Sequence, residues 1–100
     1  MLERRDTRRI DFTASITLQI EDLEVKTRMI NYSEDGALFR VEGPDHDKVS
    51  TDTLGKDAVF VMRLRDKPDR KYRGEVIRFF FKDEDKFIAL RFWEPYQEIS

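Results

Sequence analysis

The feature that most constrains this chain is a period-two spacing of apolar residues, which recurs in six separate stretches. Successive side chains of a strand point to opposite faces, so such alternation marks a strand with one buried face. Ile16, Leu18 and Ile20 alternate with Ser15, Thr17 and Gln19. After a turn at Glu21-Asp22, Leu23, Val25, Thr27 and Met29 form a second inner face, with Glu24, Lys26 and Arg28 opposite. Ala37, Phe39 and Val41 make a third, Ala58, Phe60, Met62 and Leu64 a fourth. Tyr72, Gly74 and Val76 make a fifth, Ile88, Leu90 and Phe92 a sixth. Residues 66–70 and 82–86 read as charged hairpin loops. The connection 43–57, opening on Gly43-Pro44-Asp45, is long for a compact domain and has room for a helical turn.

Six short strands joined by polar turns, with no amphipathic helix, predict an all-β fold. An antiparallel sheet of this size escapes exposed edges by closing on itself, so the expected architecture is a six-stranded antiparallel β-barrel. A chain of 100 residues predicts one domain spanning 1–100. Within it, residues 1–12 are an arginine-rich arm, 13–93 the barrel and 94–100 a tail with room for at most a short C-terminal helical turn. The arm is expected to be flexible until something anionic orders it.

Charged residues make up 40% of the chain and hydrophobic ones 39%, so a small core sits under a heavily charged surface. Nineteen basic against 21 acidic residues argue against a general nucleic-acid binder, which would carry a basic excess. The local asymmetry is more informative. Arg4, Arg5, Arg8 and Arg9 face only Glu3 and Asp6 in the first nine residues, whereas five acids crowd residues 42–57. A small anion is drawn to the first segment and not to the second. The absence of cysteine excludes disulfides and thiolate metal sites. No apolar run approaches the ~20 residues of a membrane span, which predicts a cytoplasmic protein without membrane insertion.

Catalysis has little support. The single histidine, His46, lies between Asp45 and Asp47 with no second cluster to complete a metal site. No paired nucleophile and base and no glycine-rich phosphate loop occur, so no enzyme activity and no cofactor are expected.

Asn31-Tyr32-Ser33-Glu34-Asp35-Gly36 connects the second and third strands. Taken alone it is turn chemistry, with Asn and Ser bonding nearby backbone and Gly supplying a positive φ. Taken with Arg5-Asp6-Thr7-Arg8-Arg9, it completes an ordered pair of patterns, R-x-x-x-R followed by N-x-S-x-x-G. This pair resembles the PilZ domain, a small β-barrel family that binds the second messenger cyclic di-GMP. Residues 72–78 and 88–92 resemble the family's G-x-V-x-R strand and closing strand, so the likeness covers about residues 3–93.

The resemblance implies ligand contacts from Arg5, Arg9, Asn31, Ser33 and Gly36, and relay to a protein effector that the sequence does not identify. Arginine suits such a ligand because its guanidinium pairs bidentately with phosphate or with guanine O6 and N7, and stacks on purines. Arg4 precedes the arginine pattern, where the resemblance implies two stacked ligand molecules per chain. Arg78 and Arg91 read as residues of an outward barrel face rather than ligand contacts. Phe79, Phe80 and Phe81 cannot all point inward; their core reading is preferred to a partner patch shared with Trp93 and Tyr96. Two alternatives compete: a PilZ-like interaction module that binds no nucleotide, and a barrel gripping single-stranded nucleic acid through Arg73, Arg78, Arg91 and the phenylalanines.

Overall fold

The computed structural model describes residues 15–99; the arginine-rich arm lies outside the described residues. Each of the six alternating stretches is a strand: β1 Ser15–Ile20, β2 Leu23–Tyr32, β3 Gly36–Val41, β4 Asp57–Met62, β5 Asp69–Lys82 and β6 Asp85–Phe92. All pairings are antiparallel, in the order β4-β1-β2-β3-β6-β5, and β4 pairs with β5 to close the barrel. The inner residues of the strands are those the alternation names, and Val49 of the 43–57 connection joins them. Leu18, Val25, Phe39, Val49 and Ile88 are fully buried, with Ile16, Ile20, Met29, Phe60 and Val76 around them. Thr27 is the polar member of this set, and its hydroxyl donates to the Ile16 carbonyl at 2.8 Å, as burial requires.

The tail differs from expectation. Gln97–Ile99 form a seventh strand, β7, instead of a helical turn. The cause is an open edge: β5 begins at Asp69, but β6 accompanies it only from Gly74 onward. The exposed backbone of Asp69–Lys71 is paired by β7. Residues 43–57 hold two short 3-10 turns, Gly43–Lys48 and Thr51–Thr53. Asp45 takes over where β3 ends. Its carboxylate accepts the Lys26 amide at 2.7 Å and meets Lys48 Nζ at 3.1 Å, contacts that hold its carboxyl below the usual carboxylate range. Lys86 Nζ ties the same loop to β6 by donating to the carbonyls of His46 and Val49.

An aromatic column fills one side of the barrel. Phe39 meets Phe60 edge-on at 5.1 Å, Phe60 stacks on Tyr72 at 5.0 Å, and Tyr72 touches Phe92 at 4.8 Å. Tyr32 caps it, with its hydroxyl 2.7 Å from that of Tyr72. Burial, and next this hydrogen bond, push the Tyr32 phenol well above its ordinary pKa.

Two β-bulges break the alternation. In β2 the register slips between Met29 and Asn31, leaving Ile30 as the extra residue. In β5 it slips between Val76 and Arg78, leaving Ile77. Each slip exchanges inner and outer faces for the rest of its strand. Tyr32 therefore turns in and Asn31 out, and Phe79 packs against the core while Arg78 faces solvent.

The β5–β6 hairpin turns on Asp83 and Glu84 alone, with φ of 52° and 73°. Positive φ at both positions is the requirement of a type I′ turn, which prefers Asn-Gly. A left-handed non-glycine residue costs about 1–2 kcal/mol, partly offset by the extra entropy glycine loses. Glu84→Gly should therefore stabilise the domain by about 0.5–1 kcal/mol, read as a higher urea midpoint with an unchanged slope. A lowered midpoint would contradict this reading of the turn.

Candidate functional site

The N-x-S-x-x-G stretch is half strand and half loop. Since β2 runs to Tyr32 and β3 starts at Gly36, only Ser33, Glu34 and Asp35 make the connection. The Ser33 amide donates to the Gly36 carbonyl at 2.9 Å, and the Ser33 hydroxyl accepts the Asp35 amide at 3.2 Å. The Asp35 carbonyl accepts the Phe92 amide at 2.8 Å, which seats the loop on the end of β6. Ser33 thus shapes the loop while remaining exposed.

Gly36 is where the turn reading fails. Its φ is not positive; among the described glycines only Gly55 adopts a positive φ. Gly36 lies opposite Arg91 on β6, where an added Cβ would collide with the Leu90 carbonyl oxygen. Gly74, on the other flank of β6, would collide in the same way with the Arg91 carbonyl. Both glycines are small so that β3 and β5 can close tightly on β6.

The outer surface of β2, β3, β6 and β5 forms an open groove of about 850 Å³. Its floor is one continuous cross-strand row: Asn31 opposite Leu38, Leu38 opposite Ala89, and Ala89 opposite Arg78. The next row brings Gly36 beside Arg91, with Glu75 on the far side of Arg91. Asn31, Ser33 and Gly36 are therefore assembled on one face, and Arg78 and Arg91 share it. Both arginines point outward, Arg91 by the alternation and Arg78 through the slip at Ile77, and that face is the motif's own. The signal the alternation misses is the paired slip at Ile30 and Ile77. Arg4, Arg5 and Arg9 lie outside the described residues.

Arg78 and Arg91 are exposed and make no ion pair among the described residues. Arg28, farther along β2, is paired with Glu42 at 3.2 Å. Asp35 lies on the rim of this face, and Glu75 stands opposite Arg91. Arg73 stands apart on the β4 side, opposite Val59, so the three arginines of the nucleic-acid alternative do not line one groove.

The aromatic run divides. Phe79 packs on the core, Phe80 stacks outside on Phe87 at 5.1 Å, and Phe81 is exposed beside Lys86. Tyr96 lies against Tyr72 and beneath the Arg70 guanidinium, 4.1 Å from it. Tyr72 and Phe81 are roughly 30 Å apart along β5 at the strand rise, so no single patch joins Tyr96 to Phe80 and Phe81. Asp45 is committed to Lys26 and Lys48, and does not converge with His46 and Asp47 on a common point. Among the described residues no cluster of metal-ligating side chains occurs, and no helix is long and apolar enough to cross a membrane.

The two motif residues should separate on substitution. Gly36→Ala should destabilise the domain by about 1–3 kcal/mol, because rigid backbone of β6 must move. Ser33→Ala, exposed and with its backbone bonds retained, should cost no more than about 1 kcal/mol. Urea unfolding of both variants checks this, and equal costs would refute the packing role of Gly36.

A family model described as the PilZ domain matches residues 3–99. No curated protein and no solved structure matches the chain. The match takes in the arginine run, the motif hairpin, the closed barrel and the added strand β7. With nearly its whole length accounted for, this chain belongs to the PilZ domain family.

Proposed function

We propose that this domain binds cyclic di-GMP reversibly, without chemistry, and passes the binding event to a protein effector through a change of surface. The observation that carries this reading is the groove itself, where Asn31, Ser33 and Gly36 share one face with two guanidiniums that lack acid partners among the described residues. Membership of a family of cyclic di-GMP receptors supports the ligand's identity. The Asn31 amide can donate to and accept from a base edge, and Arg78 and Arg91 can meet phosphate or the O6/N7 edge of guanine.

The arm is attached within reach of this face. Ser15 pairs with Arg28, three residues from Asn31 on β2, or about 10 Å at the strand rise. Arg9 is six residues from Ser15, a tether of at most roughly 20 Å. Arg5 and Arg9 would close over the ligand from the side opposite the groove floor, an ordering step that changes the surface offered to a partner. Arg4 adds the charge that a second stacked ligand requires, since an intercalated pair brings four phosphates together. The expected setting is the cytoplasm, where such a messenger is made.

Cyclic di-GMP at 100 times its dissociation constant should add about 2.7 kcal/mol, raising the melting midpoint by roughly 10 °C or more. GMP at equal concentration should do much less; equal shifts would overturn a specific dinucleotide site. Arg5→Ala and Arg9→Ala should each weaken binding by about 1.5–3 kcal/mol with an unchanged apo melting curve. An absence of binding in the wild type would favour an interaction module that binds no nucleotide.

Calorimetry should give two cyclic di-GMP molecules per chain, falling towards one in Arg4→Ala. One molecule in both proteins would remove the paired-ligand claim and leave the ligand's identity standing.

A further inference from the structure

We propose that the cleft between β1 and β4 is a docking site for a partner protein, which adds an extended segment of alternating apolar and acidic residues as a further strand. The seam between these two strands is the one the barrel leaves incomplete. β1 meets β4 only at Gln19 opposite Val59 and at Ile20 opposite Ala58. β4 is by contrast paired with β5 along its whole length, from Asp57 to Met62. Past Gln19 and Val59 the strands run on, to Ser15 and to Met62, with no further pair between them. In the strand order this seam lies across the barrel from the β3–β6 pair, so the cleft is separate from the groove that holds Asn31. The inference therefore stands apart from the cyclic di-GMP reading.

The backbone on both walls is oriented to receive a strand. The Asp57 carbonyl accepts the Glu21 amide on the β1 side, whereas the Lys56 carbonyl accepts the Val76 amide on the β5 side. Backbone groups alternate in direction along a strand, so those of Val59 and Val61 also face β1. Gln19 meets Val59, but nothing in β1 pairs with Val61. By the same alternation Thr17, two residues before Gln19, turns its amide and carbonyl into the cleft. Unpaired edges of this kind are templates for strand addition. The cleft is open, about 380 Å3 in volume, and its lining suits the two faces of an incoming strand. Ile16, Met29 and Met62 line it from the core, and Thr17, Val61 and Arg63 from the outer surface. The two methionines are adaptable enough to seat an inward-pointing apolar side chain.

Charge selects the occupant. Arg63 lines the open end, Lys71 stands opposite Val61, Arg73 opposite Val59 and Lys26 opposite Thr17. None of these cations makes an ion pair among the described residues. The acids of this face, Glu24 and Asp57, lie towards the closed end, where Gln19 meets Val59. A strand entering the open end therefore turns one face to apolar side chains and the other to unpaired cations. A segment that alternates apolar and acidic residues satisfies both faces at once. The same cations oppose a second copy of this chain, since edge-to-edge pairing would bring two cationic edges together.

The probe is a blocked, fluorescently labelled peptide that alternates glutamate with valine, titrated into the full chain. Its anisotropy should saturate, and amide hydrogen exchange at Thr17 and Val61 should slow on binding. Arg63→Glu should lower the affinity about tenfold. Its apo melting curve should match the wild type, because Arg63 is exposed. A fully N-methylated peptide keeps the charges and side chains but has no strand donors, and it should not bind. Wild-type affinity in Arg63→Glu, or equal binding of a lysine–valine peptide or an oligothymidylate, would overturn the acidic partner. Equal binding of the N-methylated peptide would overturn strand addition. No binding by the wild type would overturn the whole proposal. So would slow exchange at Thr17 and Val61 in the free protein, where the chain's own arm or a second copy would then fill the cleft. None of these outcomes bears on the groove or its ligand.

Discussion

A strand has two faces, and a single extra residue exchanges them. β2 and β5 each use that device once, at Ile30 and at Ile77, on either side of the β3–β6 pair. Without the slips, Asn31 and Arg78 would continue the inner faces of Met29 and Val76, and two polar side chains would need partners inside an apolar core. With them, both residues stand outside on one unbroken cross-strand row. The cost is visible: Ile30 and Ile77 remain 48% and 45% exposed. The groove, its polar ends and its apolar floor all follow from these two phase changes.

The same slips build the support beneath the groove. Tyr32, turned inward, joins the aromatic column through the Tyr72 hydroxyl, and Phe79 packs on the core. The strand carrying Asn31 is thus anchored one residue later by a ring and a half-buried hydrogen bond. Beyond Tyr72 the column continues to Tyr96 and Arg70, where β7 joins the sheet. A groove on such a scaffold has its described residues held in place by the barrel beneath it.

All six barrel strands were legible in the alternation, because each inner face buries at least two apolar side chains in phase. The bulges were not. A one-residue slip near a strand end leaves too few residues in the new phase: after Ile30 only Asn31 and Tyr32 remain in β2, and loop chemistry explains them equally well. After Ile77 the run Phe79-Phe80-Phe81 fits either phase. The reason for Gly36 was hidden for another cause, since the carbonyl it must clear belongs to Leu90, far along the chain. Likewise β7 has no periodicity of its own and exists because β5 outruns β6. That Arg91 points outward follows from the alternation; that Arg78 does, and that both face the same way as Asn31, depends on bulges and register, which three-residue patterns do not carry.

Charge distribution completes the argument. The chain carries a net charge of −2, and in the groove Arg78 and Arg91 are set against Asp35, with Glu75 beside Arg91, while other acids are held elsewhere. Glu42 is engaged by Arg28, and Asp45 by Lys48 and the Lys26 amide. Asp83 and Glu84 occupy the tip of the β5–β6 hairpin. Unpaired guanidiniums at an exposed face cost little in water, where mutual repulsion is screened over about 10 Å at 0.1 M salt. The same groups gain strongly once a bound anion displaces that water, since the interaction rises as the local dielectric falls. A face built this way tolerates two exposed guanidiniums that make no ion pair among the described residues.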